Sequence, residues 1–327
     1  MKHFLRTTAL ALTCFAGAAL AQAPTAAPEA APLISRIKMA TVGAPDIAKV
    51  EQWYAALGYK VREKSTVSAA HAASWGAPKT AGKPFILMYS EGSPDVNIRA
   101  VQTDSVPGYK AQTTLGWNAF EIIVDDLDKV YAMVKASPFK IIGEPKSLGG
   151  GFASIHAMQV VGPGEEVLYL TSEKGDRAKS NLPMPKSMVD RPFIFILAGH
   201  DVQALQDFYT AQFNLKAFGR FDGPVPQIAK AQGLPETQVF GLGLVRMRER
   251  GNNIELDGYP TSAKPRPHAE GQIPPGNSFV SLNVDNIGAL KVKFITPPAA
   301  LYGPKGMAAS YVGPAGELGE LIESPRP

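Results

Sequence analysis

The sequence repeats one order of predicted elements four times: a strand, a short helix and three further strands. The stretch Trp117–Glu173 shows this order most plainly. Alternating apolar residues predict a strand at Ala119–Val124, and the apolar spacing after Asp125–Asp126 predicts an amphipathic helix. Further strand-like segments lead to a Gly-Pro-Gly turn and a last strand at Glu166–Thr171. A repeat of this kind indicates a fold built from four similar modules.

The modules alternate between two versions of the pattern. Modules one, three and four begin near Leu33, Pro192 and Ser278. Modules one and three carry a helical insertion after the second strand, at Ser65–Lys83 and Pro226–Gly233. Modules two and four lack the insertion, and both have a Gly-Pro turn followed by Glu before the last strand. This alternation indicates that a pair of modules has been duplicated.

We therefore predict an α+β fold in which four βαβββ modules form two cupped mixed β-sheets. Consecutive modules are expected to share a cup, which places the two domains at 33–173 and 191–325. A charged, proline-bearing linker is expected between them at 174–190. Since duplication supplies both halves of each cup, we expect a monomer or a homodimer.

The N-terminus has the pattern of a secretory signal peptide. Lys2 and Arg6 supply the positive region, Thr8–Ala19 is apolar, and Ala19-Leu20-Ala21 is a small-x-small cleavage site. The apolar run is shorter than the roughly 20 residues that a membrane-spanning helix needs. We expect a signal peptide at 1–21, an Ala/Pro-rich lead-in at 22–32, and a periplasmic or secreted mature protein without a membrane partner.

Cysteine content and charge exclude several classes of function. Cys14 is the only cysteine of the 327 residues and lies in the signal region, so the mature protein has no disulfide and no thiolate metal site. Removal of 1–21 leaves 31 basic against 29 acidic residues. That excess is too small and too dispersed to indicate a nucleic-acid partner. The expected partner is a small-molecule ligand.

The modules resemble the vicinal oxygen chelate superfamily, which includes glyoxalases, bleomycin-resistance proteins and extradiol dioxygenases. The motifs that carry this resemblance are VDDLDKV (Val124–Val130), QDFYTAQFNLK (Gln206–Lys216) and VGPAGELGELIES (Val312–Ser324). It covers about Leu33–Glu323, nearly all of the predicted mature chain. The resemblance implies cupped sheets around a cavity, but it leaves the activity open because one fold of this kind supports many reactions.

The resemblance also implies where a metal would be held. Metal-containing members use His or Gln from first strands and Glu from last strands, and the first-strand positions of this chain hold other residue types. At the last-strand positions Glu255 and Glu320 keep the carboxylate, whereas Tyr169 and Arg99 replace it. Zinc and iron sites need at least three converging His or carboxylate ligands. We therefore expect these four to be ligand-binding or remnant metal positions, with no cofactor; a divalent metal is the less favoured alternative.

Two residues are candidates for acid–base catalysis. Glu121 shares strand parity with Ala119 and should face the cup. A carboxylate in an apolar cup would have a raised pKa and could act as a general base, although it could instead pair with a nearby Lys or Arg. His156 lies in the middle of a strand and could act as an acid or base near neutral pH, or be a hydrogen-bonded core residue.

Two functions follow as expectations. The first is a periplasmic glyoxalase/bleomycin-resistance-like protein that binds a small apolar or aromatic molecule in a β-sheet cup, without the usual metal site. The alternative is a lyase, isomerase or dioxygenase that uses Glu121, His156, Glu255 or Glu320 as acid–base groups or as an irregular metal site. A scaffold that acts through its surface is disfavoured, because the sequence has no long charged or apolar surface run.

Overall fold

The computed structural model describes residues 30–324. The described chain forms two eight-stranded mixed sheets with few helices, an α+β architecture as predicted. The predicted signal peptide 1–21 and most of the lead-in 22–32 lie outside the described residues. Within residues 30–324, no helix has the length and apolar character needed to cross a membrane.

The strands follow the four predicted modules. Those of module one are β1 (Ile34–Ala44), β2 (Lys60–Thr66), β3 (Pro84–Tyr89) and β4 (Asn97–Gln102). Those of module two are β5 (Gly116–Val124), β6 (Lys140–Ser147), β7 (Ile155–Val161) and β8 (Val167–Glu173). Those of module three are β9 (Val189–Gly199), β10 (Lys216–Pro224), β11 (Val239–Arg246) and β12 (Asn253–Gly258). Those of module four are β13 (Gly276–Val284), β14 (Ala299–Ala300), β15 (Met307–Val312) and β16 (Leu318–Glu323).

The three longest helices begin at aspartate corners. Asp46, Asp126 and Asp201 each accept a hydrogen bond from backbone N–H groups in the first turn, which satisfies donors that a helix start leaves free. Both predicted insertions contain a short helix. The α-helices are α1 (Ile47–Ala56), α2 (Ala69–Ser74), α3 (Leu127–Lys135), α4 (Val202–Phe213) and α5 (Pro226–Ala231).

Module four departs from the predicted pattern. We expected a short helix at Asp285–Lys293, and the structure has only a 3-10 turn at Ile287–Ala289. Leu290 is already extended, and β-branched residues and the prolines 297–298 follow within a few positions. Such residues disfavour continuation of a helix.

The two sheets combine the modules differently from our expectation. One sheet has the order β14-β15-β16-β13-β1-β4-β3-β2 and joins modules one and four. The other has the order β10-β11-β12-β9-β5-β8-β7-β6 and joins modules two and three. Their central contacts are the antiparallel pairs of β1 with β13 and of β5 with β9. The predicted arrangement, with one sheet in 33–173 and the other in 191–325, is therefore wrong.

Contacts between the sheets hold this arrangement in place. The indole N–H of Trp117 on β5 donates to the backbone oxygen of Leu318, at 2.8 Å. The side-chain amide of Asn277 on β13 exchanges two hydrogen bonds with the backbone of Val167, at 2.8 and 3.1 Å. These bonds link module two to module four although the two lie in different sheets. Their partners are distant in sequence, so no local pattern reveals them.

One apolar core extends across both sheets and the helices. It includes Tyr54, Val130 and Tyr209 from α1, α3 and α4, and Phe120 and Phe279 from the central strands β5 and β13. Neighbouring residues on a strand point to opposite faces. The second face of each sheet is therefore free to line a cavity.

Candidate functional site

Each sheet lines one large cavity. The first cup, formed by modules one and four, has a volume of about 620 Å³. The second cup, formed by modules two and three, has a volume of about 580 Å³. Both volumes lie in the range of small-molecule binding sites.

A buried ion pair forms the floor of the first cup. Arg99 on β4 and Glu320 on β16 lie 3.2 Å apart between Nη2 and Oε2, and both side chains are almost fully buried. Arg99 also donates to the hydroxyls of Thr41 and Tyr302, at 3.0 and 2.7 Å. Glu320 accepts from the indole of Trp75 and from Tyr302, each at 2.8 Å. Burial alone would raise the pKa of Glu320, but Arg99 and these donors hold it below its ordinary value.

The first cup does not fit a metal ion. The one carboxylate at its floor, Glu320, is already neutralised by Arg99. Its other close neighbours include the hydroxyl of Ser281, which donates at 2.5 Å. Zinc and iron sites require several imidazole, thiolate or carboxylate ligands around one point, and this set supplies a single carboxylate that is already paired.

The walls of the first cup carry aromatic rings. The insertion in module one supplies His71 on α2 and Trp75 directly after it. The His71 ring lies 5.1 Å from the ring of Tyr302, and the Arg99 guanidinium lies 4.6 Å from the Trp75 ring. Burial lowers the pKa of His71, so its imidazole is neutral near pH 7. The interior of this cup therefore favours a flat apolar group.

The floor of the second cup is acidic. Glu121 on β5 and Glu255 on β12 line this cavity, and Asp257 follows Glu255 two residues along β12, on the same face of the strand. All three are buried or half-buried, and none of them forms an ion pair within residues 30–324. Burial, with a further contribution from Glu255, raises the pKa of Glu121 to about 8. Burial also raises the pKa of Glu255 to about 7 and that of Asp257 above its ordinary range. Near pH 7 Glu121 and Glu255 therefore keep much of their carboxylic acid form.

Further hydrogen-bonding groups lie next to this floor. Tyr169 on β8 is the register partner of Glu121 on β5, and its hydroxyl accepts from the amide of Gln112 at 3.3 Å. Asp257 has one buried carboxyl oxygen, Oδ1, without a hydrogen bond among the described residues. These groups surround the acids of the floor without lining the cavity themselves.

Apolar residues form the walls and mouth of the second cup. Phe152 and Phe221 at the mouth are 48% and 56% exposed, although large aromatic side chains are usually buried. Arginines edge the same opening: Arg246 stacks on Phe218 at 3.5 Å, and Arg248 pairs with Asp285 at 2.7 Å. The other apolar residues that line this cup are Leu148, Ile155, Leu182, Ile194, Leu244 and Met247.

The second cup does not fit a metal ion either. Carboxylate oxygens suit hard cations such as Mg²⁺ and Ca²⁺. However, within the described part of the chain, no three His, Cys, Asp or Glu side chains converge closely enough to hold a metal ion. Burial also favours the protonated acids over the ionised ligands that a metal requires.

The structure groups the predicted site residues in a new way. Arg99 and Glu320 were expected in separate domains, and they meet at the floor of the first cup. Glu121 and Glu255 were also expected in separate domains, and both line the second cup. Tyr169 lies beside Glu121 on the neighbouring strand. The regrouping follows directly from the pairing of modules one with four and two with three.

His156 is not brought to Glu121. It directly follows Ile155, which lines the second cup, and strand alternation places His156 on the opposite face of β7. Its Nδ1 lies 3.3 Å from the backbone oxygen of Ser154. Among the described residues, His156 therefore belongs to neither cup.

Sequence reasoning missed several residues of the two floors. Asp257 is two residues after Glu255, so strand parity alone could have placed both on one face. Tyr302 lies in a loop before β15, where no periodic pattern predicts the direction of a side chain.

Comparisons with known proteins support the fold. No family model and no curated protein sequence matches this chain. Among solved structures, glyoxalase I from Zea mays is 17% identical, with a TM-score of 0.57, over 88% of this chain and 92% of that chain. A candidate dioxygenase from Bacillus subtilis is 12% identical, with a TM-score of 0.60, over 91% of this chain and 87% of that chain. The chain thus shares the fold of these glyoxalase and dioxygenase structures, in agreement with the fold that the sequence motifs predicted. Identities this low show the fold and no activity.

Proposed function

We propose that this protein is a periplasmic small-molecule-binding protein whose second cup holds an apolar or aromatic ligand without a metal ion. The supporting observation is a cavity of about 580 Å³ that combines apolar walls with buried carboxyl groups lacking a cationic partner. A ligand that covers Phe152 and Phe221 removes apolar surface from water, at roughly 25 cal/mol for each Å².

The floor selects the polar group of the ligand. Glu121 has a pKa of about 8, so near pH 7 it is mostly a neutral acid that donates one hydrogen bond and accepts others. A carbonyl, ether or hydroxyl group can use that donor without bringing a charge into the cup. The proposed ligand is therefore a small apolar molecule with one neutral polar group at its inner end.

The proposal is tested with N-phenyl-1-naphthylamine, a neutral apolar dye that fluoresces when removed from water. We expect saturable binding to the mature protein. The double variant Phe152→Ser/Phe221→Ser should weaken that binding about tenfold, because about 1.4 kcal/mol of apolar contact is lost. Both residues are about half exposed, so the variant should fold normally.

A matched control separates the mouth from general surface apolarity. Val239 and Val312 are 53% and 56% exposed, and neither lines a cavity. The double variant Val239→Ser/Val312→Ser should bind the dye as tightly as the natural sequence. Equal affinity of all three proteins, or no saturable binding, would contradict the second cup as the binding site.

The periplasmic location is supported by the sequence at 1–21 alone. If this segment is a cleaved signal, the exported protein should begin at Gln22, with the loss of Cys14. Intact-mass measurement of protein purified from the periplasm reads this directly. A mass that retains Cys14 would contradict export by cleavage after Ala21.

A second candidate function is proton transfer at a carbon atom. Its support is Glu121, whose pKa of about 8 makes its ionised form a stronger base than an ordinary carboxylate. Such a base could remove an acidic C–H proton next to a carbonyl group and return it, which is a step common to isomerases and lyases. The C–H bond breaks, the proton passes to Glu121, and the electron pair stays on the enolate.

This candidate is tested by hydrogen–deuterium exchange of the ketone 2-tetralone in D₂O. The protein should accelerate exchange at the carbon atoms next to the carbonyl, and Glu121→Gln should abolish the acceleration. Glu317→Gln is the control, since Glu317 is a buried carboxyl that lines neither cavity. Exchange no faster than in buffer would contradict the proton-transfer function, and the binding function would then be the one remaining candidate.

A further inference from the structure

Two cations at the mouth of the first cup lack a carboxylate partner. Lys38 on β1 and Arg62 on β2 both line the cavity. Within residues 30–324, Lys38 makes no hydrogen bond or ion pair. Arg62 donates to the backbone oxygen of Pro94 and stacks on the ring of Tyr89 at 4.6 Å. Both side chains therefore keep charge that the protein itself does not neutralise.

The surroundings of Lys38 explain why it lacks a partner. The carboxylate that acts on it, Asp95, is engaged in an ion pair with Arg36. Burial, followed by the charges of Arg36 and Arg62, lowers the pKa of Lys38, and Asp95 offsets this only in part. An anion that enters the cup would relieve this unfavourable environment, since opposite charges stabilise each other most where water is excluded.

The carboxylates at the same mouth leave this excess of positive charge in place. Glu323 accepts a hydrogen bond from the backbone N–H of Ile287 at 2.8 Å, so its carboxylate is engaged with the 3-10 turn that follows β13. Glu63 is exposed on β2 and is therefore well solvated. Lys305 on the opposite side adds a third cation. The mouth thus presents three cations against two carboxylates that are engaged or solvated.

The interior of the cup sets the shape of the ligand. Trp75, Phe85, Leu87 and Tyr302 line it, which favours a flat apolar group. Arg99 at the floor is a poor partner for the anion, because Glu320 already neutralises its charge and four of its five N–H donors bond neighbouring side chains. The anionic group of a ligand would therefore lie at the mouth, with its ring pointing inward.

We infer that the first cup is a second ligand site, which binds a flat apolar carboxylate through Lys38 and Arg62. This goes beyond the proposed function, because the cavity, the lining residues and the charge are all different from those of the second cup. The duplicated modules would then provide two binding sites that differ in the polar group they hold, an anion at the mouth of the first cup and a neutral group at the floor of the second.

The experiment uses 2-naphthoate and its neutral analogue 2-naphthamide, with calorimetric titration at pH 7 and low salt. We expect 2-naphthoate to bind at least tenfold more tightly than 2-naphthamide. Lys38→Met keeps the apolar stem and removes the charge, so it should weaken 2-naphthoate at least tenfold and leave 2-naphthamide unchanged. Arg62→Met should weaken 2-naphthoate severalfold and provides a second variant if Lys38→Met folds poorly.

Lys64→Met is the matched control. Lys64 lies on β2 like Arg62, but its ammonium group pairs with Glu51 of α1 at 2.7 Å, outside the cup. This variant should bind 2-naphthoate as the natural sequence does. The inference is overturned if Lys38→Met and the natural sequence bind 2-naphthoate equally, or if Lys64→Met weakens it as much. Loss of 2-naphthoate binding in Phe152→Ser/Phe221→Ser but not in Lys38→Met would also overturn it, because it would place the anion in the second cup.

Discussion

At the floor of the first cup, Arg99 supplies a positive charge where the resemblance to metal-binding relatives would place a metal ion. The guanidinium contacts Glu320, Thr41 and Tyr302 at hydrogen-bond distance, so its position is fixed by three different strands or loops. A cation held by the chain cannot dissociate or exchange a ligand. Arg99 therefore stabilises the floor of this cup, and the inferred contacts with an anionic ligand lie at the mouth instead.

The first prediction concerns this ion pair. Glu320→Gln leaves the buried Arg99 without its counter-charge, and breaking a buried pair in this way costs about 3 kcal/mol. The free energy of unfolding, measured by urea denaturation, should fall by that amount. The double variant Arg99→Met/Glu320→Gln should recover part of the loss, because no unpaired charge remains. Additive costs in the double variant would show that the two residues act independently.

At the scale of single residues, strand parity predicted more than motifs did. It placed Glu121 toward a cavity from its spacing to Ala119, and Glu121 does line the second cup. It could not place His156, because the strand start was uncertain and one residue of error reverses the face. The partner of each residue could not be predicted at all, since that depends on which modules share a sheet.

At the scale of elements, the helices connect modules that the sheets separate. The hydroxyl of Tyr209 on α4, in module three, donates to Glu317 of the Gly-Pro turn in module four, at 2.9 Å. Glu317 also accepts from the backbone N–H of Ala315 at 2.8 Å. The equivalent residues in modules one and two are Tyr54 and Glu166, both buried. Consecutive modules therefore stay in contact through a helix and a turn, although their strands lie in different sheets.

The second prediction tests this contact. Tyr209→Phe removes the donor from the buried Glu317, which should lower the free energy of unfolding by about 1 kcal/mol. Tyr259→Phe is the matched control, because the buried Tyr259 hydroxyl has no hydrogen-bond partner among the described residues. Its cost should be smaller, as read by urea denaturation. A larger cost for Tyr259→Phe would contradict the assigned role of Tyr209.

The elements themselves were largely predictable from local signals. Aspartate caps, apolar periodicity and Gly-Pro turns are short-range features, and α1, α3 and α4 start one residue after their capping aspartates. The exception in module four arose because the Asp285 corner resembles the others while β-branched residues follow it. β14 was missed because two residues at Ala299–Ala300 carry no detectable pattern.

At the scale of the whole molecule, the pairing of modules determines the chemistry of both cups. The first strands β5 and β13 are both buried along their whole length. Modules two and four therefore present similar first strands for pairing with the first strand of another module. The sequence therefore fits several pairings equally well, and contacts such as those of Trp117 and Asn277 select one. Under the predicted pairing Arg99 would have shared a cup with Glu121. In the actual pairing Arg99 neutralises Glu320, and the acids of the second cup have no cation at their floor.

The buried acids also predict how the stability of the protein depends on pH. Burial raises the pKa of Glu166, Glu255 and Glu317 from 4.5 to about 7, and that of Glu121 to about 8. Each group contributes stability that is fully present below its unfolded pKa and is lost as pH rises through the folded pKa. Carboxyls with lowered pKa, such as Glu320, lose their contribution only as pH falls below about 4.5.

The third prediction is therefore a stability maximum near pH 5 and a melting temperature at least about 5 °C lower at pH 8. Burial lowers the pKa of His71 from 6.5, so the contribution of His71 to stability is lost as pH falls below 6.5. This opposes the effect of the buried acids, but it comes from one group against four. Thermal melts followed by circular dichroism between pH 4 and pH 8 measure the profile. The variant Glu166→Gln/Glu317→Gln, outside both cavities, should flatten it by removing two of the four groups. A melting temperature that is constant or rises from pH 5 to pH 8 would show that these acids are ionised in the folded protein.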